Sequence, residues 1–402
     1  MGAAPEVVLD LSRLVSRVLH PTPTGVDRVE MAYARGLLAS VPDRLRFAAV
    51  HPIGGYGRLP RAVALRFLDE TEQRWRTRGR EGKLARRLRA IRTLWCLRPR
   101  PVPRAAAAGR LFVQPSPNTL GRPRLQARIL RRERAKLVCL LHDLIPIQFP
   151  EYARVDGAAK HLARIRTMLS CSAGIIGNSA ATLDALRPYL ERMEAPPLTA
   201  VAHLGSEPAL VADGATPLPE RAYFVCVGTI EPRKNHLLLL NLWRKLSSLH
   251  GAENVPLLIV IGRRGWENEQ VVDMLERCPA LDGCVREYGG LPDEAVTRML
   301  AGARALLLPS FAEGYGMPVS EALTLGVPVV CSDLPALREA GGEVPDFLDP
   351  LDGPAWERAI VDLARDDSRL RAAQAVRRRN WTAPGWPEHI AILLEMLHKL
   401  AR

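Results

Sequence analysis

The stretch Ala305-Leu306-Leu307-Leu308-Pro309-Ser310-Phe311-Ala312-Glu313-Gly314-Tyr315-Gly316-Met317-Pro318-Val319-Ser320-Glu321 decides the fold. Its apolar opening, residues 305–309, reads as a buried strand. Glu313 then falls in the loop beyond the carboxyl end of that strand. Residues 317–325 read as a helix whose first turn tolerates Pro318. Ligands of open α/β sheets bind at this edge, where helix N-termini present N–H groups to anions. Glu321 sits about one turn into the helix and can still face the edge. The plain alternative is two solvated glutamates beside a glycine-rich turn.

Outward from that segment, the same alternation fills the second half of the chain. Strands are expected at 223–227, 256–261, 285–288, 305–308 and 327–331, with helices starting at Lys234, Glu267, Asp293 and Met317. In the first half, strands are expected at 7–11, 45–50, 136–141 and 174–177, with helices over 28–40 and 157–170. A chain of 402 residues is too long for one ordinary core and suggests two domains. The stretch from Leu204 to Pro219 interrupts the pattern with three prolines and two glycines, which marks a boundary. The expected architecture is α/β: two Rossmann-like, doubly wound domains facing across a cleft. Residues 1–204 form the first and 205–380 the second. Residues 381–402 supply a C-terminal helix packing back toward the first domain.

Composition narrows the class. Apolar residues make up 47% and charged residues 25%, values of an ordinary globular protein. There is no apolar run long enough to span a membrane, and the first residues lack a basic, apolar leader. Seven cysteines without Cys-x-x-Cys spacing favour a reducing compartment, so a cytoplasmic protein is expected. Cys139, Cys226 and Cys331 read as small core residues. The net charge of +13 is unevenly spread. Residues 1–204 carry 35 basic and 16 acidic side chains, whereas residues 205–402 carry 21 and 27. Residues 74–104 hold twelve basic residues against Glu81 alone, interleaved with Trp75, Leu84, Leu88, Ile91, Leu94 and Trp95 at helical spacing. An anionic membrane face or nucleic acid suits such a surface, and a solvated arginine-rich excursion is the plain alternative.

The chemistry centres on two loops. After the strand at 223–227 comes Gly228-Thr229-Ile230-Glu231-Pro232-Arg233-Lys234-Asn235. Arg233 and Lys234 are well placed there to neutralise a diphosphate; two ordinary surface bases at a helix start are the plain alternative, although cations there oppose the helix dipole and do not serve stability. The loop lacks the glycine spacing and Lys-Ser/Thr pair of a Walker A motif. In the first half, His142-Asp143 ends the strand at 136–141. His142 is a candidate for chemistry or an ordinary hydrogen-bonded strand-end residue. Asn178-Ser179 reads as a helix cap. His20, His161 and His203 show no metal-ligand spacing.

Taken together, Gly228 to Asn235, Gly289-Gly290-Leu291, Leu306 to Ser310, Glu313-Gly314-Tyr315-Gly316-Met317-Pro318, Glu321-Ala322-Leu323 and Gly326-Val327-Pro328-Val329-Val330 resemble the donor-binding half of retaining family 4 glycosyltransferases of the GT-B fold. The first half matches more loosely, through Pro23-Thr24-Gly25, His142-Asp143-Leu144-Ile145-Pro146, Asn178-Ser179 and Leu204-Gly205. The wording resembles bacterial mannosyl- and rhamnosyltransferases of surface polysaccharide assembly, O-antigen and exopolysaccharide included.

The resemblance implies roles position by position. Glu313 would contact the donor sugar's hydroxyls and support charge at the anomeric carbon. Glu321 would bind the ribose. Lys234 and Arg233 would hold the diphosphate, beside Gly228 and the backbone N–H groups of Tyr315, Gly316 and Met317. Gly25 would let the first loop approach the phosphates, and His142 would sit near the donor sugar and the acceptor hydroxyl. Many members carry Arg directly after the first glycine, where this chain has Thr229. With no Asp-x-Asp motif in the chain, no metal and no cofactor are expected, and the cations and helix dipoles would stabilise the leaving diphosphate. A front-face displacement is the expected mechanism.

The expected reaction moves a hexose, mannose from GDP-mannose first, onto a lipid-linked or polysaccharide acceptor. Donors of the dTDP-rhamnose, GDP-fucose or UDP-sugar type are alternatives for the same chemistry. A basic nucleic-acid-binding protein on an α/β scaffold is the alternative of another class, and a GT-B-shaped epimerase or phosphorylase a third. The expected partners are the nucleotide sugar, the glycan acceptor and an anionic membrane touched through residues 74–104, at the inner face of the plasma membrane.

Overall fold

A computed structural model describes residues 4–76, 82–104, 109–207 and 217–402. Part of the proline- and glycine-rich boundary and part of the basic stretch, Arg78, Arg80 and Glu81 included, therefore lie outside the described residues. The chain divides into two compact units. One comprises Met1–Gln148, Val155–Leu204 and Gly385–Arg402; the other comprises Phe149–Arg154 and Gly205–Pro384. The hexapeptide Phe149–Arg154 is a departure from a simple cut at residue 204. Its ring at Tyr152 stacks on Phe311, centroids 5.6 Å apart, and its backbone carbonyl at Tyr152 accepts from Trp266 Nε1.

The first unit is built on a seven-stranded sheet: β1 (Glu6–Asp10), β2 (Leu45–Val50), β3 (Tyr56–Arg58), β4 (Arg110–Gln114), β5 (Ala135–Leu141), β6 (Ser172–Gly177) and β7 (Leu198–Val201). Their order is β3-β2-β1-β4-β5-β6-β7, parallel throughout except for β3. The second unit has a six-stranded, all-parallel sheet: β8 (Tyr223–Val227), β9 (Leu257–Ile261), β10 (Val285–Tyr288), β11 (Leu306–Leu308), β12 (Val329–Ser332) and β13 (Asp346–Leu348). Its order, β10-β9-β8-β11-β12-β13, reverses direction at β8. The crevice at such a reversal is where doubly wound sheets bind ligands.

Parallel strands covered on both faces read as near-continuous apolar runs. Accordingly, every side chain of Leu257–Ile261 and Leu306–Leu308 is buried, and Cys139, Cys226 and Cys331 are core residues without disulfides. Phe224 meets Trp243 edge-on in the second core. Strands β3, β4, β7 and β13 are absent from the sequence-based expectation. Two of them carry arginines that alternation assigns to solvent. Arg58 and Arg110 are instead buried, Arg58 donating to both oxygens of Glu133 at 2.9 and 2.6 Å and Arg110 to Glu6 at 2.8 Å.

The C-terminal helix Trp386–Ala401 packs within the first unit. His389 fastens it: Nδ1–H donates to the His203 carbonyl at 3.0 Å and Nε2 accepts from the Tyr33 hydroxyl at 2.7 Å. Burial lowers the His389 pKa to about 4, which keeps the ring neutral for this pattern.

Two carboxyls are also buried in the first unit. Asp10 accepts from the Ser12 amide, and Glu30 from the Leu14 amide, but Asp10 Oδ2 and Glu30 Oε2 have no hydrogen-bond partner. Burial, and then the nearby Asp10, push Glu30 up to about 8; burial pushes Asp10 up to about 6. The folded chain thus holds protons that the unfolded chain releases near pH 4–5. The stabilisation is complete below that range and lost as pH rises to about 8. Thermal unfolding should show a midpoint falling between pH 5 and 8, with Glu30→Gln flattening the fall. An unchanged slope in that variant would remove Glu30 from the effect.

Candidate active site

The second unit's candidate site grows from the carboxyl ends of β8 and β11, the adjacent strands at its reversal point. After β8 the chain runs through Gly228 into a 3-10 turn, Pro232–Lys234. The expected helix start at Lys234 is therefore corrected. Asn235 takes a left-handed conformation, φ 52°, and the helix is His236–His250. Pro232 presets the turn and Asn tolerates the left-handed region, so the two local preferences delay the helix. Lys234 projects from the turn, not from a helical first turn.

Backbone packing at the strand ends is close. The Phe311 amide donates to the Arg233 carbonyl at 2.7 Å, and the Gly228 amide to the Ile261 carbonyl at 2.9 Å. A Cβ on Gly262 would lie 1.7 Å from the Gly228 oxygen, so only glycine lets the ends of β8 and β9 meet in this way. A Cβ on Gly228 would lie 3.3 Å from Lys234 Cε, so the lysine stem lies across that glycine.

Glu313 is the meeting point. Lys234 Nζ donates to its Oε1 at 2.5 Å, Arg233 Nη1 to its Oε2 at 2.9 Å and Ser310 Oγ to its Oε1 at 2.7 Å. Arg233 Nη1 also reaches the Ala312 carbonyl, and Arg233 Nε lies 2.6 Å from Glu231 Oε1. Burial by itself would raise the Glu313 pKa, but Lys234 and then Arg233 more than offset it and lower it to about 2. Glu231, also buried, is raised despite Arg233. Glu313 is thus ionised throughout the physiological range and too weak a base to take a proton from a hydroxyl. His236, buried and next to the Lys234 cation, is lowered to about 4 and neutral.

Gly316, φ 102°, is the left-handed cap of the helix Met317–Thr324, and a Cβ there would strike Leu337 at 2.4 Å. Tyr315 is buried beside it, and Glu321 lies one turn into the helix, half-buried. The structure therefore brings Arg233, Lys234 and Glu313 into contact. It places Gly228, Tyr315 and Gly316 on the flanking loops and Met317 at the first position of the helix that follows. Ser310 and Glu231 are additional members of the cluster. Their signal in the sequence is position alone: one lies two residues beyond the end of β11, and the other precedes Lys234 by three residues.

His142 and Gly25 belong to the first unit. His142 Nε2–H donates to the Pro115 carbonyl at 2.7 Å, which leaves Nδ1 as the lone-pair nitrogen of a neutral ring. Burial lowers its pKa. Asn178 Nδ2 donates to the His142 carbonyl, and Ser179 caps the helix Ala180–Leu190. Gly25 is the first residue of the helix Gly25–Ser40, where Thr24 and Asp27 form a capping box and Arg13 donates to Asp27 at 2.6 Å. Its φ is not positive, so conformational freedom is not its reason.

Residues 214–344 match the family model described as glycosyl transferases group 1. The chain is 38% identical over 155 residues to O-antigen chain mannosyltransferase B of Escherichia coli, covering 39% of this chain and 40% of that protein. It is 27% identical over 232 residues to the serotype-specific mannosyltransferase WbdA of Escherichia coli, covering 51% of this chain and 27% of that one. The chain thus spans well under half the length of these relatives. Among solved structures, a sucrose-phosphate synthase from Thermosynechococcus elongatus superposes with a TM-score of 0.66 over 98% of this chain and 99% of that one, at 14% identity. That likeness is one of fold: the GT-B pair of Rossmann-like domains expected from the sequence.

Proposed function

We propose, from the premise that the second unit belongs to the group 1 glycosyltransferases, that the chain is a retaining hexosyltransferase of cell-surface glycan assembly, with GDP-mannose as donor. The carrying observation is the Arg233–Lys234–Glu313 cluster at the reversal point of the second sheet. Two cations there meet a leaving diphosphate, and an ionised carboxylate beside them supports positive charge at the anomeric carbon. Glu321 takes the ribose hydroxyls, and the turn at Tyr315, Gly316 and Met317 lies against the phosphates.

The reaction is a front-face displacement. The bond from the anomeric carbon to the diphosphate breaks, and the acceptor oxygen bonds to that carbon on the same face. The acceptor's proton passes to the departing phosphate oxygen. Glu313 cannot receive it, because its carboxyl is held ionised at about 2. His142 of the first unit, whose Nε2–H donates to the Pro115 carbonyl and leaves Nδ1 as the lone-pair nitrogen, is the acceptor-side candidate. Arg233 and Lys234 supply the charge stabilisation that a metal ion gives elsewhere, so the reaction requires no metal and no cofactor. The acceptor is a lipid-linked or polymeric glycan. The basic first half draws the chain to an anionic membrane surface from the cytoplasm. Among the described residues, no helix is long and apolar enough to cross a membrane.

A thermal-shift screen tests the donor reading. GDP at a hundred times its dissociation constant should add about 2.7 kcal/mol to stability, exceeding UDP and dTDP at the same concentration. Failure of every nucleotide to stabilise, with no turnover of any nucleotide sugar offered, would sink it.

A further inference from the structure

The helix Lys83–Cys96 is turned so that its most apolar stripe points away from the protein. Leu84 is 71% exposed, Leu88 59%, Ile91 65% and Trp95 68%. At about 100° per residue these four fall within roughly 60° of arc, along about 16 Å of helix. The face held by the protein is a different one. Ala90 and Leu97 are buried, and His51 Nε2–H donates to the Leu94 carbonyl at 3.0 Å. An amphipathic helix on a protein surface ordinarily turns its apolar stripe inward. Here the stripe is left outward and flanked by charge: Arg87 and Arg98 on one side, Arg92 on the other. Arg98 lies over the Trp95 ring, 4.5 Å from its centroid. From Gly82 to Arg104 the chain contains no acidic residue.

We infer that this helix is an interfacial anchor that lies in the plane of an anionic bilayer. Leu84, Leu88 and Ile91 enter the boundary between headgroups and acyl chains. Trp95 sits at headgroup level, and Arg87, Arg92 and Arg98 reach lipid phosphates. The charge pattern selects the occupant, since aliphatic side chains ringed by arginines and free of carboxylates match an apolar layer under an anionic one. Attraction by net charge alone would act over the whole basic half. The stripe adds an apolar, short-range component at one element, which salt does not screen. The inference deepens the membrane part of the function proposed above, and its binding readout, flotation with vesicles, needs no sugar nucleotide.

The full chain is mixed with vesicles of equimolar phosphatidylglycerol and phosphatidylcholine, and bound protein is measured by flotation. Leu88→Glu/Ile91→Glu should lower the binding constant roughly tenfold or more, while circular dichroism and transfer to a soluble acceptor stay as in wild type. Arg87→Gln/Arg92→Gln should also weaken binding, with a shallower salt dependence. With brominated lipid, quenching of tryptophan fluorescence should shrink in Trp95→Phe. Wild-type protein that fails to float would overturn the anchor, as would a Leu88→Glu/Ile91→Glu variant binding within twofold of wild type. So would a stripe buried by self-association, seen as a dimer that this variant dissolves. A chain that floats but transfers no sugar would leave the anchor standing and sink the transferase reading alone.

Discussion

Lys234→Ala is expected to lower kcat/KM for the nucleotide sugar by about a thousandfold, or roughly 4 kcal/mol of transition-state stabilisation. The side chain is buried and its ammonium meets Glu313 at 2.5 Å, so its charge is held at one point in a low-dielectric setting. Removing it also leaves Glu313 with Arg233 and Ser310 as partners, and breaking a buried pair from one side costs about 3–5 kcal/mol. Loss of activity could then reflect loss of folding. Lys234→Ala/Glu313→Gln separates the two. With no uncompensated carboxylate its melting midpoint should return close to wild type, while activity stays low. Activity restored along with stability would mean that neither the Lys234 cation nor the Glu313 carboxylate is needed for transfer. A single variant with near wild-type kcat/KM would remove Lys234 from the site.

Gly262→Ala is expected to damage the second unit more than any other conservative change near the site. Its new methyl would lie 1.7 Å from the Gly228 oxygen and 2.7 Å from the carbonyl carbon, backbone on both counts. No rotamer relieves such a contact, so the ends of β8 and β9 must part. Overpacking of this kind costs about 3 kcal/mol, which corresponds to roughly 6–12 °C in the melting midpoint for a unit of this size. Because the Lys234 stem lies across Gly228, nucleotide affinity should fall as well. Gly289→Ala is the control. Its new methyl would meet the Gly262 oxygen at an ordinary 3.7 Å, and it should melt near wild type. Equal midpoints for the two variants would contradict the packing account.

Sequence and structure agree where the information is local. The βα alternation of the second half follows from apolar runs and glycine turns. The position of Glu313 beyond the end of β11 follows from the order of residues along one segment. The start of the helix after Lys234 was misplaced because Pro232 and Asn235 act through backbone geometry, which apolar periodicity does not report. Strands β4 and β3 were missed because Arg110 and Arg58 carry charges that pattern reading sends to solvent. Glu133 and Glu6, distant in sequence, neutralise them inside.

From the sequence alone came two Rossmann-like domains, a diphosphate-suited pair at 233 and 234, and carboxylates at 313 and 321. Each rests on residues near one another along the chain. The tertiary structure decided that Lys234 and Arg233 close on Glu313, across a separation of about eighty residues, and hold it ionised. That contact depends on β8 and β11 being neighbours, and strand order is set by packing of the whole sheet, not by any segment within it. It also decided which face of the helix Lys83–Cys96 is outward. Periodicity shows that a helix has an apolar stripe, but only the rest of the fold determines whether anything covers it.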